Sequence, residues 1–204
     1  MPDEIHTRCC IAGGGPAGMM LGLLLARAGV DVIVLEKHGD FLRDFRGDTV
    51  HPSTLELMHE LGLLASFLQR PHDEARDLSI NIGSRVLKVA DFSRLSTQCK
   101  FIALMPQWDF LDFLRDEAVR YPNFRLIQNA RVDTLLEDSE RVTGAQVTTN
   151  DGSLQVHADL VIGADGRHST VREAAQLHVR NLGCLLYTSP SPRDVEESRM
   201  PSSA

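Results

Sequence analysis

The glycine-rich run Gly13-Gly14-Gly15-Pro16-Ala17-Gly18, entered from a strand and left through a helix, constrains this chain more than any other feature. His6 to Ala12 turns apolar toward its end and runs straight into the glycines, as a buried parallel strand does. Ala17 to Ala28 is rich in Leu, Met and Ala and stops at Gly29, a residue suited to ending a helix. Asp31 to Leu35 is then a second, β-branched strand, with Glu36 at its end. Strand, Gly13-x-Gly15-x-x-Gly18, helix, strand and acidic residue, in that order, form the context in which a glycine pattern implies a dinucleotide site.

Each position has a physical task. Gly13 permits a tight turn, Gly15 lets the backbone approach a pyrophosphate, and Gly18 allows close packing of helix on strand. Pro16 and Ala17 open the helix, whose unpaired N–H groups and dipole favour a diphosphate. Glu36 places a carboxylate where ribose hydroxyls donate to it and a 2′-phosphate is repelled; Lys37 follows it and completes this side of the candidate set. The glycine turn by itself does not separate NAD from FAD.

With 43% hydrophobic and 24% charged residues the chain is an ordinary globular sequence, large enough for one substantial core. Its net charge of −7 and its scattered basic residues exclude a nucleic-acid partner. Cys9 and Cys10 are adjacent and Cys99 and Cys184 stand alone, so no disulfide framework or metal spacing is formed, and a reducing, cytoplasmic setting is expected. The histidines His51, His59, His72, His157 and His168 likewise form no metal set. The run from Cys9 to Val30 is no secretory signal, because Asp3 and Glu4 precede it and Gly13 to Pro16 interrupt it. No membrane span is expected, and nothing in the sequence sets an oligomeric state.

Further along, Ser53 is the expected cap of a helix over Thr54 to Leu61, and a second helix begins within Leu104 to Leu111, with Trp108 read as core. Ala75 to Val89 reads as a hairpin around Gly83. Phe124 to Ala130, Val142 to Thr149 and Leu154 to Val156 read as strands, the last two joined by a turn at Asn150-Asp151-Gly152. A further apolar strand, from Asp159, delivers Asp165 and Gly166 at its C-terminal end, where Ser169 is placed to cap a short helix.

The segment Asp165-Gly166-Arg167-His168-Ser169-Thr170-Val171-Arg172, together with the first glycine motif, resembles the class A flavoprotein monooxygenases of the para-hydroxybenzoate hydroxylase type. The resemblance covers residues 5 to 183. It implies an α/β fold with a Rossmann-like, FAD/NAD(P)-binding parallel sheet and a β-meander, and strands of a substrate domain within about residues 75 to 105. It implies FAD as cofactor, with Asp165 at the FAD ribose in a region that also serves the nicotinamide cofactor. Arg46 in the loop Phe45 to Ser53 approaches the flavin and diphosphate, with Arg43 as the fallback, and Gln107 touches the FAD. The activity implied is reduction of FAD by NAD(P)H, then reaction with oxygen to a flavin hydroperoxide that hydroxylates a small organic, often aromatic, substrate. None of these residues is an acid or base acting on substrate, so the catalytic residues are unassigned.

Two rival readings stand beside it. An NAD(P)-dependent Rossmann dehydrogenase or reductase fits the first βαβ unit equally well, but Asp165-Gly166 and the lack of a Tyr-x-x-x-Lys pair argue against it. A non-functional, truncated nucleotide-binding fragment is the other. The family's third FAD segment, a Gly-Asp-Ala pattern, and most of its substrate sheet would lie beyond Gly183, so the chain as written is expected to be poorly stable and inactive. Cys184 to Asp194 and Ser198 to Ala204 read in one frame as the translated adapter of a transposase-based sequencing library, with Val195 to Glu197 as its index. Residues 1–183 are therefore expected to be the N-terminal part of an FAD-binding domain, and residues 184–204 a non-native, disordered tail.

Overall fold

The computed structural model describes residues 3–42, 48–139 and 141–180. The chain starts with β1 (Asp3–Ala12), crosses through α1 (Pro16–Arg27) and returns beside β1 as β2 (Val32–Leu35), which is the expected βαβ unit. There follow β3 (Thr49–Val50), α2 (Pro52–Glu60), α3 (Leu64–Phe67), β4 (Asp73–Ala75), β5 (Asp77–Ile82), β6 (Arg85–Asp91) and β7 (Ile102–Leu104). Then come α4 (Gln107–Ala118), β8 (Phe124–Ile127), β9 (Arg131–Asp138), β10 (Arg141–Thr149), β11 (Gly152–Gly163) and α5 (Thr170–Ala174).

The main sheet has six strands in the order β8-β2-β1-β11-β10-β9. β8, β2, β1 and β11 are parallel, and β11, β10 and β9 form an antiparallel meander, so the architecture is the α/β sheet with a meander that the sequence implies. The two groups share β11. Residues 152–157 of it pair with β10, while residues 154–163 pair with β1. The sequence reading had two short strands here; His157-Ala158-Asp159 holds no Gly or Pro, and with a ladder on either side the backbone has no reason to break.

β9 is a strand that the sequence reading missed altogether. Its run Arg-Val-Asp-Thr-Leu-Leu-Glu-Asp is charged at both ends and buries only Val132 fully, so it carries a weak apolar period. α2 starts two residues earlier than expected, with Pro52 as first helical residue and Ser53 inside the helix, because proline's fixed φ suits that position. Trp108 is 36% exposed rather than core, since it lies off the buried stripe of Phe110, Leu111, Phe113, Leu114 and Ala118.

Each face of the sheet has its own core. On one, α1 and α4 pack Met19, Leu23, Leu111 and Leu114 over Ile11, Val32 and Val34. On the other, the meander lays Val147 and Val156 over Cys10, Ile33 and Leu35. Adjacent residues on one strand face opposite sides, so Cys9 and Cys10 enter different cores. Asn123 ties α1 down: its side-chain amide donates to the Ala26 and Val30 carbonyls at 2.9 and 2.8 Å, at the point where the helix ends.

β5 and β6 form the expected hairpin around Gly83, whose φ is +59°, as a two-stranded sheet of their own. Leu78, Ile80, Ile82, Leu87 and Val89 on it are between 45 and 61% exposed. Among the described residues no helix is long and apolar enough to cross a membrane. Residues 184–204 lie outside the described residues.

Two outcomes follow from this packing. A Cβ on Gly144 of β10 would stand 2.1 Å from the Val156 carbonyl oxygen of β11. Gly144→Ala is therefore expected to cost about 1–3 kcal/mol in a urea denaturation, by forcing the two strands apart. Burial pushes the Cys10 thiol up to about 12, with Cys9 beside it adding to the shift. Burial also raises Cys9 and Cys99, the latter helped by the Glu74 and Glu56 carboxylates. In a Cys184→Ser background, Cys9, Cys10 and Cys99 are expected to resist Ellman's reagent at neutral pH and to react, all three, in denaturant.

Candidate cofactor site

The glycine turn joins the C-terminal ends of three parallel strands. Gly13 N–H donates to the Leu35 carbonyl of β2 at 2.8 Å, and Ala164 N–H, just past β11, donates to the Ala12 carbonyl of β1 at 2.7 Å. Gly13 sits at φ +110°, and a Cβ there would lie 2.4 Å from the Ala164 carbonyl oxygen, so both backbone angle and space demand glycine. Gly18 is equally constrained. Its Cβ would fall 1.9 Å from the Gly13 carbonyl oxygen, so Gly18 seats α1 on the turn itself more than on the strand.

Gly15 is different: it is the N-cap of α1, with φ −74°, and nothing lies within 4 Å of where its Cβ would be. The open space lies before the first turn of the helix, where Pro16 occupies the position that needs no N–H. A diphosphate fits there, against unpaired amides and the positive end of the helix dipole.

Glu36, 2% exposed, does structural work first. Its Oε2 accepts from Gly14 N–H at 2.8 Å and its Oε1 from His38 N–H at 3.0 Å, so the carboxylate stitches the turn to the end of β2. Across the cleft, Asp165 Oδ2 accepts from Val171 N–H at 3.1 Å, in the first turn of α5. Ser169 caps that helix as expected, its hydroxyl accepting from Arg172 N–H at 3.0 Å. Asp165 Oδ1 is buried and has no hydrogen-bond partner among the described residues. A buried carboxylate oxygen left without a donor is costly, and a ligand hydroxyl would satisfy it.

These parts enclose a cleft of about 260 Å³ whose lining includes Gly13, Gly15, Pro16, Ala17, Glu36, Lys37, Asp165 and Gly166. The structure thus brings together eight of the sequence-derived candidates, with Gly18 packed behind them. Gln107 opens α4 and does not line this cleft. Arg46 and its fallback Arg43 lie outside the described residues. The sequence reading made no site candidates of Ala12, Leu35, Ala130, Arg131, Val132, Ala164, His168 or Thr170, which complete the wall. Arg131 and Val132 were missed together with β9; Ala130, the expected end of the strand from Phe124, lies between β8 and β9, and its N–H donates to the Glu36 carbonyl at 2.8 Å and so carries the start of β9 to the cleft. Among the described residues no group of three or more His, Cys, Asp or Glu is placed to hold a metal ion.

A glycine turn at a helix N-terminus, a carboxylate at the end of the second strand and a second carboxylate at the end of the last parallel strand define a dinucleotide-binding α/β domain. The chain belongs to the FAD binding domain family, whose model matches residues 6–185. It is 34% identical over 173 residues to 6-methylpretetramide 4-monooxygenase of Streptomyces rimosus, a match covering 85% of this chain and 41% of that protein. Against the rifampicin monooxygenase of Streptomyces venezuelae the identity is 32% over 165 residues, covering 80% of this chain and 32% of the other. The crystal structure of p-nitrophenol 4-monooxygenase PnpA from Pseudomonas putida superposes with a TM-score of 0.74 at 26% identity, covering 84% of this chain and 44% of that one. The chain therefore spans about two-fifths of the length of such relatives or less. These matches favour the flavin reading over an NAD(P)-dependent dehydrogenase.

The glycines separate by experiment. Gly15→Ala is expected to leave the urea midpoint within about 0.5 kcal/mol of the parent while weakening FAD binding tenfold or more, because its Cβ enters only ligand space. Gly18→Ala is expected to cost about 3 kcal/mol of stability, because its Cβ meets backbone.

Proposed function

We propose that the protein represented by this chain is an FAD-dependent monooxygenase that uses NAD(P)H and oxygen to hydroxylate a small organic, aromatic compound. The observation that carries the reading is the cleft in which an open helix N-terminus faces Asp165, whose Oδ1 is buried and lacks a donor, in a chain of the FAD binding domain family. The named monooxygenases among its relatives support the choice of reaction.

Bound FAD would supply the redox chemistry, accepting reducing equivalents from NAD(P)H and delivering them to oxygen. The chain's own residues bind and orient. Gly15 leaves room for the diphosphate, the α1 amides take its charge, Glu36 and Asp165 accept from hydroxyl groups, and Lys37 adds a cation at the rim. Arg46 and Gln107 are assigned to the flavin side of the cofactor, and the Asp165-Gly166 region to the nicotinamide cofactor as well. We assign β4 to β7, which lie outside the main sheet, to the substrate-binding part of the protein, and place the protein in the cytoplasm. Residues 184–204 are assigned to a non-native tail; the family match stops at residue 185, next to where the adapter-like run begins.

The test is to read the source locus uninterrupted past the codon for Gly183 and to express that longer frame. A yellow protein is expected, with one FAD per chain and NAD(P)H oxidation stimulated by an aromatic compound, whereas the 204-residue chain oxidises no NAD(P)H. A colourless longer protein that instead reduces NAD⁺ with an alcohol substrate would sink the monooxygenase reading.

A further inference from the structure

The rim of the cleft beside Glu36 is built differently from the diphosphate end. Leu35, Ala130 and Val132 give it a short apolar floor, and Arg131 and Lys37 supply cations to the same lining. Val132 is buried in the core under the meander, so its neighbours Arg131 and Asp133 share the opposite face of β9. Arg131 Nε donates to Asp133 Oδ1 at 2.8 Å. Asp133 Oδ2 in turn accepts from the Thr148 hydroxyl at 2.6 Å, reaching across from β10, where Thr148 is the register partner of Arg131.

An arginine that is 65% exposed gains little stability from an ion pair of this kind. What the chain Thr148–Asp133–Arg131 does is hold a planar cation in one place at the mouth of a nucleotide cleft. Burial pushes the Asp133 carboxyl up, but the hydrogen bonds from Thr148 and Arg131 outweigh it and hold the group below the usual carboxylate range, so the tether stays charged at neutral pH. Because Nε makes the tether, the two terminal nitrogens, which have no partner among the described residues, remain for a ligand.

Building on the FAD-domain reading above, we propose that Arg131 is the adenine-recognising residue: its guanidinium lies flat against the base of a bound adenine dinucleotide, with Asp133 and Thr148 as positioning residues. With Glu36 at the ribose, the base beyond it meets the floor of Leu35, Ala130 and Val132 on one side and a planar cation on the other. The recognised chemistry is thus adenosine, shared by FAD and ADP and absent from FMN.

The experiment is calorimetric titration of the longer frame described above, stripped of bound flavin, and of its variants with ADP, FAD and FMN, with circular dichroism melts run alongside. Arg131→Ala is expected to weaken ADP and FAD about tenfold at an unchanged melt, to leave FMN as it was, and to be only slightly repaired in Arg131→Lys, which keeps the charge without the plane. Asp133→Asn is expected to fall between parent and Arg131→Ala. If the parent binds ADP and FAD and Arg131→Ala binds them equally well, the inference fails and the flavin-domain reading stands. Full rescue by lysine overturns the stacked contact in favour of simple charge pairing. A parent protein that binds neither ADP nor FAD overturns the assignment of this cleft as the cofactor site and this inference with it.

Discussion

The amide of Gly13 reaching the Leu35 carbonyl, the amide of Ala164 reaching the Ala12 carbonyl and the amide of Gly14 reaching Glu36 hold a single turn from three sides. Everything the cleft does depends on that clamp. It aims the open end of α1 outward, sets Asp165 across from it, and leaves Gly15 as the glycine whose missing Cβ opens onto empty space rather than onto the protein. Gly13 and Gly18 make the clamp possible by removing side chains that would strike Ala164 and Gly13 backbone atoms. Two glycines are thus required by the packing of the turn and one, Gly15, faces open space, although the sequence motif writes them alike.

How much of this was legible in the sequence follows from distance along the chain. The βαβ unit with Glu36 and the Asp165-Gly166 strand end are local patterns, each written within a short stretch, and both were readable. The cap at Ser169 was readable for the same reason. β9 was not, because its alternation is carried mainly by Val132 while its outer face is charged; its identity as a strand comes from pairing with β10. Arg131 went unseen with it. Likewise β11 looked like two strands, since its continuity is imposed by neighbours that arrive from opposite ends of the chain, β1 and β10. Trp108 misled because a large aromatic suggests burial, whereas its place in the first turn of α4 leaves it beside the buried stripe.

Electrostatics divides the cleft into two ends. In the proposed function, the amides and the helix dipole would serve the diphosphate and the carboxylates of Glu36 and Asp165 would serve hydroxyl groups, with Lys37 and Arg131 as the cations in the lining. Outside the main sheet, the hairpin of β5 and β6 turns Leu78, Ile80, Ile82, Leu87 and Val89 to solvent. A contiguous apolar face of that kind marks a surface built to be covered, in keeping with relatives more than twice as long.

The double membership of β11 also orders events during synthesis. β1 leaves the ribosome early, but its partner in the sheet is a strand in which Ile5 waits for Val156 and Ala12 waits for Gly163. Until β11 emerges, the Ala12 carbonyl has no Ala164 amide to bind and Asp165 does not yet exist opposite the helix. The nascent chain therefore carries a half-built nucleotide turn with one flank open, and cofactor capture is a late event, coupled to closure of the most sequence-distant contact in the domain.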